Sequence, residues 1–246
     1  MHRTGPVDRS REAEALQKAC QQEGCPVCTV VLEHIDKVMN TWSYEGFTDV
    51  EHRQKVTQAR GFCPLHTWQL AQRNSAFPLA VIYKNVLAAM EEELQQKQTS
   101  LPHATSNGGW LAQLKHTLQS HTPPPVESAH LYEQCFFCLA RANVEQRLIE
   151  RLVGLLRTEA MVSLLRQSTG LCRVHFAGAI HFAEEHAPAQ YAALIECQHA
   201  CVQRVLGEIH ALIQKHDYHF SQGAHGDEMT SWRRASQLCV GNDGVR

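Results

Sequence analysis

The chain has 246 residues, 43% of them hydrophobic, which is enough for one large or two modest domains with a sizeable core. Its 23 lysines and arginines nearly balance 25 aspartates and glutamates, and the formal charge of -2 disfavours nucleic acid, whose phosphates need a basic surface. The first residues lack the apolar core of a signal peptide, and no stretch is long and apolar enough to span a membrane. The sequence therefore predicts a cytoplasmic protein with no membrane association.

The predicted secondary structure is helical, because apolar residues recur at helical spacing and no run alternates between apolar and polar residues. Residues 1–24 are predicted to be a charged leader helix. Residues 25–98 are predicted to form four helices, and the last of these, over 77–98, is expected to bury an apolar stripe. That stripe comprises Leu79, Ile82, Tyr83, Val86, Leu87, Met90 and Leu94.

Residues 99–127 are predicted to be a linker, because Gly-rich and Pro-rich segments bracket a short amphipathic helix over 110–118. Residues 128–216 are again predicted to form about four helices. Residues 217–246 form a tail whose short helix is expected to dock on a repeat, with Trp232 as its anchor. The predicted fold is therefore all-α, with two tandem helical units.

A pattern of cysteine and histidine occurs twice in the chain. The Cys-x-x-Cys motif that begins at Cys25 recurs at Cys135, 110 residues later, and the Cys-x-x-His motif at Cys63 recurs at Cys172, 109 residues later. Because the offset is kept within one residue, we interpret the two halves as an internal duplication.

Each repeat contains three cysteines and one histidine, a ligand set that Zn²⁺ takes in tetrahedral structural sites. The prolines that follow Cys25 and Cys63 suit the first turn of a helix, whose free N–H groups stabilise thiolates. The sequence therefore predicts two Zn²⁺ ions per chain. The predicted ligands are Cys25, Cys28, Cys63 and His66 in the first repeat, and Cys135, Cys138, Cys172 and His175 in the second.

The two half-sites of a repeat are expected to bind the same ion. The 34 residues between Cys28 and Cys63 are interpreted as two antiparallel helices of similar length, which run out and return. Such a hairpin brings the second half-site back to the first. The alternative is swapped pairing, in which Cys25 and Cys28 are completed by Cys172 and His175.

Two other chemistries fit the same residues. The Cys-x-x-Cys pairs could form disulfides, as in a thiol-based redox sensor that releases zinc on oxidation, although neither pair lies in the strand-to-helix context of known redox motifs. An iron–sulfur cluster accepts the ligand types but usually takes a closer run of cysteines. Cys197 and Cys201, one helical turn apart, are interpreted as core residues rather than as a third metal site.

Five short segments carry a family resemblance. They are CPVC at residue 25, GFCPLH at 61, CFFC at 135, GLCRVH at 170 and EMTSWRRA at 228. Over residues 25–241, apart from the linker, the chain resembles an uncharacterised bacterial family of duplicated helical proteins. The resemblance implies a domain of unknown function and brings no activity, substrate or partner.

The sequence contains no catalytic constellation. It has no Gly-rich phosphate loop and no nucleophile elbow, and both ligand sets are complete at four, whereas a catalytic zinc usually keeps an open position. We therefore expect a non-enzymatic, zinc-stabilised module that interacts with another protein or acts in regulation.

Overall fold

The computed structural model of the chain describes residues 6–73, 75–99, 134–216 and 226–244, and within these ranges every regular element is a helix. The predicted all-α fold is confirmed. The amphipathic helix predicted over 110–118 lies outside the described residues. No helix in the described ranges is both long and apolar enough to cross a membrane.

The helix predicted over 77–98 is observed as Ala76–Thr99. In chain order the α-helices are α1 Pro6–Ala19, α2 Pro26–Thr41, α3 Val50–Gln58, α4 Pro64–Gln72, α5 Ala76–Thr99, α6 Phe136–Leu155, α7 Glu159–Gln167, α8 Arg173–His186, α9 Pro188–His216 and α10 Ser231–Val240. A π-helical turn, Trp42–Gly46, continues α2, and a 3₁₀ turn, Asp227–Thr230, precedes α10.

Local side-chain chemistry sets several of these ends. The Asp49 carboxylate accepts a hydrogen bond from the His52 N–H at 3.0 Å and begins α3. Gly61 and Gly170, which precede the two Cys-x-x-His motifs, both have a φ of 97°. A Cβ atom on Gly170 would lie 2.8 Å from Cys201 Cβ, so a side chain is excluded there by contact as well as by conformation.

The described residues pack into two compact units. The first takes the residues up to Val38 and from Ala140 onward, and the second takes Met39 to Leu139. These units are defined by packing, whereas the tandem repeats 25–98 and 128–216 are divisions of the sequence.

The core of the first unit lies where α7 and α8 pack against α9. Leu165, Ala179 and Leu194 are fully or almost fully buried there. Cys197 and Cys201 are also buried, and their thiols lie 3.5 and 3.3 Å from the carbonyl oxygens of Val162 and Leu165 in α7. These two cysteines are therefore core residues, as predicted.

The core of the second unit is aromatic. Trp42 packs edge-on against Phe62 with ring centroids 4.9 Å apart, and Phe62 lies 5.0 Å from Phe137. All three side chains are buried. Because Phe137 stands between two predicted ligands, Cys135 and Cys138, this core adjoins one of the candidate sites.

The prediction that α5 buries its whole apolar stripe is wrong. Ile82 is fully buried, but Leu87, Met90 and Leu94 are 61%, 54% and 58% exposed. The helices that pack on α5 are α3 and α4, each nine residues or about 14 Å long, whereas α5 has 24 residues and is about 36 Å long. These neighbours are too short to cover its second half.

The tail helix α10 packs on α8 and α9, but Trp232 does not anchor it. The indole is 55% exposed and lies beside Arg233, whose guanidinium is 5.5 Å from the ring centroid. The buried face of α10 is shifted by one residue from the predicted one. It begins at Ser231, which has no exposed surface, and not at Trp232. An ion pair between Arg234 and Glu208, with a nearest distance of 2.6 Å, further attaches the tail.

Candidate metal centres

The eight predicted ligands form two clusters, each within one compact unit. Centre 1 comprises Cys25, Cys28, Cys172 and His175, and centre 2 comprises Cys63, His66, Cys135 and Cys138. Within each centre the four potential ligand atoms all lie within 4.8 Å of one another. Both clusters could therefore hold a metal ion.

Pairing within each repeat, which we expected, is wrong. Each centre combines the Cys-x-x-Cys motif of one repeat with the Cys-x-x-His motif of the other. The expectation assumed outgoing and returning helices of similar length. Instead α2 has 16 residues and is about 24 Å long, while α3 has nine and returns only about 14 Å. In the second repeat, α6 and α7 differ even more, with 20 and nine residues.

Every ligand pair stands at the start of a helix. Cys63 and Cys172 are the N-cap residues of α4 and α8, with nearly equal backbone angles of φ -64°, ψ 161° and φ -67°, ψ 159°. Cys25 and Cys135 directly precede α2 and α6. Each centre thus receives two helix N-termini, whose N–H groups and dipoles favour thiolates.

Centre 1 brings three sulfur atoms around one imidazole nitrogen. The His175 Nδ1 atom lies 3.5 Å from Cys25 Sγ and 3.3 Å from both Cys28 Sγ and Cys172 Sγ. The sulfurs of Cys28 and Cys172 are 3.8 Å apart, well beyond a disulfide bond. All four side chains are buried.

Centre 2 has the same arrangement. The His66 Nδ1 atom lies 3.1 Å from Cys63 Sγ, 3.5 Å from Cys135 Sγ and 3.4 Å from Cys138 Sγ. The sulfurs of Cys63 and Cys138 are 3.6 Å apart. Cys138 is half-buried, and the other three ligands are buried.

In both centres, burial and the neighbouring thiols shift the pKa values of the cysteines. In centre 1, hydrogen bonds from the Cys25 and Cys28 thiols hold the pKa of Cys172 well below its usual range, while burial raises the pKa of Cys25. In centre 2, burial and the nearby Cys135 raise the pKa of Cys138 to about 12. In each buried cluster the three thiols oppose one another's ionisation, and a divalent cation would offset the charge of their thiolates.

Two residues that the sequence analysis did not single out lie beyond His175, on the side away from the thiols. Its Nε2 atom lies 3.5 Å from the Glu145 carboxylate, which Arg141 approaches at 3.7 Å. Burial opposes protonation of His175, but Cys172, Cys28 and Glu145 together outweigh it and raise the pKa of His175 to about 11. A helix-face projection of α6 places Glu145 on the side of Cys138 and Leu148, a signal too general to identify it.

Centre 1 is also covered by the end of the tail, which was missed as well. The Asn242 side chain accepts a hydrogen bond from the Cys25 N–H at 2.9 Å and donates one to Thr29 Oγ1 at 3.0 Å. Gly241, with a φ of 90°, approaches so closely that a Cβ atom would lie 3.3 Å from Cys28 Sγ. The Gly-Asn pair after an amphipathic helix is a turn signal, but nothing in the sequence connects it to Cys25.

Centre 2 lacks a comparable carboxylate in the described part of the chain. The His66 ring instead packs against Phe137, with centroids 5.4 Å apart. At the repeat offset of 110, the sequence counterpart of Glu145 is Ile35, so the first repeat has no acid at that position. The two centres therefore share their ligands but differ in what supports the histidine.

Comparison with known proteins finds one family. The model of a family of unknown function, DUF6062, matches residues 13–244, which span both centres and the tail. No curated protein and no solved structure shows significant similarity to the chain.

Proposed function

The chain belongs to this family of unknown function, and we propose that it is a zinc-stabilised, non-enzymatic module that associates with protein chains. The observation that carries the proposal is the closure of both four-ligand centres. None of the ten cysteines forms a disulfide, which fits the reducing cytoplasm proposed from the sequence.

The distances within the centres support zinc. A tetrahedral ion with Zn–S bonds of about 2.3 Å and Zn–N bonds of about 2.0 Å separates two sulfurs by about 3.8 Å and a sulfur from a nitrogen by about 3.5 Å. The sulfurs of Cys28 and Cys172 in centre 1 are 3.8 Å apart, those of Cys63 and Cys138 in centre 2 are 3.6 Å apart, and the sulfur–nitrogen distances run from 3.1 to 3.5 Å. An iron–sulfur cluster spreads its ligands over more than one iron, so this compactness favours a single ion.

The role of the zinc follows from its surroundings. Four protein ligands leave no position for a substrate or an activated water, and seven of the eight ligand side chains are buried. A structural zinc contributes on the order of 10 kcal/mol to folding in finger peptides, comparable with the whole stability of a domain. The zinc ions therefore stabilise the fold and take no part in a reaction.

The exposed half of α5 is the surface that we assign to association. Leu87, Met90 and Leu94 follow a three-four spacing, the pattern by which one helix packs against another. Lys84 and Glu91 are both exposed and lie seven residues apart on the same flank of this stripe. In an antiparallel pair of α5 helices each Lys84 faces the Glu91 of the other chain, so the partner that fits is a second copy.

Elemental analysis of purified protein tests the metal. We expect two zinc ions per chain, and loss of helical circular dichroism when a strong chelator removes them. As a matched pair, Cys172→Ser should reduce the content to one zinc, whereas Cys197→Ser, which alters a buried core thiol, should leave two. Iron with visible absorbance, or a full helical signal after zinc removal, would contradict the proposal.

Sedimentation velocity over a range of concentrations tests the association. We expect a dimer that Leu87→Glu with Met90→Glu converts to monomer, because charge enters an apolar seam. Lys84→Glu should weaken the dimer and Glu91→Lys in the same chain should restore it, while the exposed control Leu139→Glu should have no effect. A wild-type chain that is monomeric at every concentration rules out the second copy as partner.

A further inference from the structure

The first unit contains an apolar cleft that neither metal centre uses. It lies between α8, α9 and α10 and has a volume of about 500 Å³. Such a volume is within the range of small-molecule sites. The lining residues are Arg173, Phe176, Gln198, Val202, Val205, Leu206, Ile209, Ala235, Leu238 and Cys239.

The cleft walls are almost wholly apolar, and one of the few polar residues is already engaged. The Gln198 side chain accepts a hydrogen bond from the Leu171 N–H at 2.9 Å and donates one to the Leu171 carbonyl at 2.8 Å. It therefore serves the backbone that leads into centre 1. Val202 and Leu206, which line the cleft, remain 43% and 51% exposed, so the tail helix leaves apolar surface open to solvent.

The charge at the cleft is a single guanidinium. Arg173 is exposed and makes no ion pair or hydrogen bond within the described ranges. As the first residue of α8 it stands at the positive end of the helix dipole, where a cation does not help the helix. The position favours an anionic group brought by a ligand.

The cationic residue and the apolar wall occupy different parts of the cleft. Gln198 bonds to Leu171, two residues before Arg173, so Arg173 joins the cleft near the Gln198 end of α9. From there the apolar wall continues along α9 to Ile209, which is about 16 Å of helix. A ligand that fits both has one anionic head and an extended apolar chain.

We propose that this cleft binds a free long-chain fatty carboxylate, with the carboxylate on Arg173 and the alkyl chain along Val202, Leu206 and Ile209. The apolar wall supplies the affinity, since each buried methylene contributes, and the guanidinium selects the acid over a neutral chain. The site is independent of the association surface on α5.

Cys239 is a built-in reporter for this binding. It lines the cleft and is the one exposed cysteine among the ten, all of which are described. Dodecanoate, added below its micellar concentration to the zinc-loaded full chain, should slow maleimide labelling of Cys239 with a saturable, one-site dependence. Isothermal titration should give the same affinity.

Two variants and a neutral ligand separate the contributions. Arg173→Gln should weaken dodecanoate by about threefold to tenfold, as for a solvent-exposed charge-assisted pair, and should leave dodecanol binding unchanged. Leu206→Asp should weaken both ligands more than tenfold, whereas Ile195→Asp, on the same helix outside the cleft, should weaken neither. Zinc content of two ions confirms that each variant is folded.

Several outcomes would overturn the proposal. They are the absence of saturable protection of Cys239, protection only above the micellar concentration, and equal binding of dodecanol and dodecanoate. If Leu206→Asp instead changes the sedimentation coefficient of the ligand-free chain, the cleft is a protein interface and the fatty carboxylate assignment is wrong.

Discussion

The imidazole of His175 has thiols near Nδ1 and the Glu145 carboxylate 3.5 Å from Nε2, whereas His66 has thiols near Nδ1 and its ring packs against Phe137. A carboxylate that accepts the second N–H of a ligating histidine fixes its tautomer and makes it a stronger ligand. Cys138 in centre 2 is, in addition, the one half-buried ligand. Centre 2 should therefore lose its metal first, and it is the place where oxidation would begin.

Replacement of Glu145 by glutamine tests this difference at the residue scale. The amide keeps the shape but loses the charge, so Glu145→Gln should weaken zinc binding at centre 1 by about 10-fold to 100-fold. Competition with a chromophoric chelator should show two sites of unequal zinc affinity in the wild type. In the variant, the affinity of the tighter site, centre 1, should be lower. Glu150→Gln, a change to a half-buried acid of the same helix that accepts a hydrogen bond from Gln146, should leave both affinities unchanged.

At the scale of helices, the sequence predicted the elements well and their partners less well. The apolar spacing predicted a helix over 77–98, and the observed α5 is Ala76–Thr99, because this signal is local. The pairing of half-sites depends on how far α3 and α7 return, and they are nine residues each, against 16 in α2 and 20 in α6. The exposure of Leu87 likewise depends on the lengths of the neighbouring helices, which periodicity does not measure.

Replacement by alanine should change the stability of the protein in opposite directions at two glycines of the first unit. Gly170→Ala should destabilise the protein by more than about 1 kcal/mol, because alanine is strained at a φ of 97° and its Cβ would meet Cys201. Gly207 lies inside α9 with open space where a Cβ atom would stand, so Gly207→Ala should stabilise by up to about 1 kcal/mol. Urea unfolding of the zinc-loaded variants measures both, and equal shifts would contradict the account of Gly170.

For the whole molecule, the cross-pairing of ligands means that a repeat of the sequence is not a complete metal-binding unit. Neither repeat contains a complete centre, since residues 25–98 supply Cys25 and Cys28 to centre 1 but Cys63 and His66 to centre 2. A metal ion at centre 1 would therefore join segments 144 residues apart in the chain, and one at centre 2 would join segments 69 residues apart. The metal restricts the unfolded chain over long loops, which is where cross-links stabilise most in the loop-entropy view.

This cross-pairing can be tested by dividing the chain. Fragments 1–98 and 128–246, purified separately, should each bind zinc weakly. Each fragment has one ligand pair of centre 1 and one of centre 2, so neither has the four ligands of one centre. Mixed in equal amounts with zinc, they should recover helical circular dichroism and two ions per pair. Cys28→Ser in the first fragment should then remove one ion of the two. Tight binding of one zinc by each fragment alone would show that the repeats close their own centres, and would refute the pairing described above.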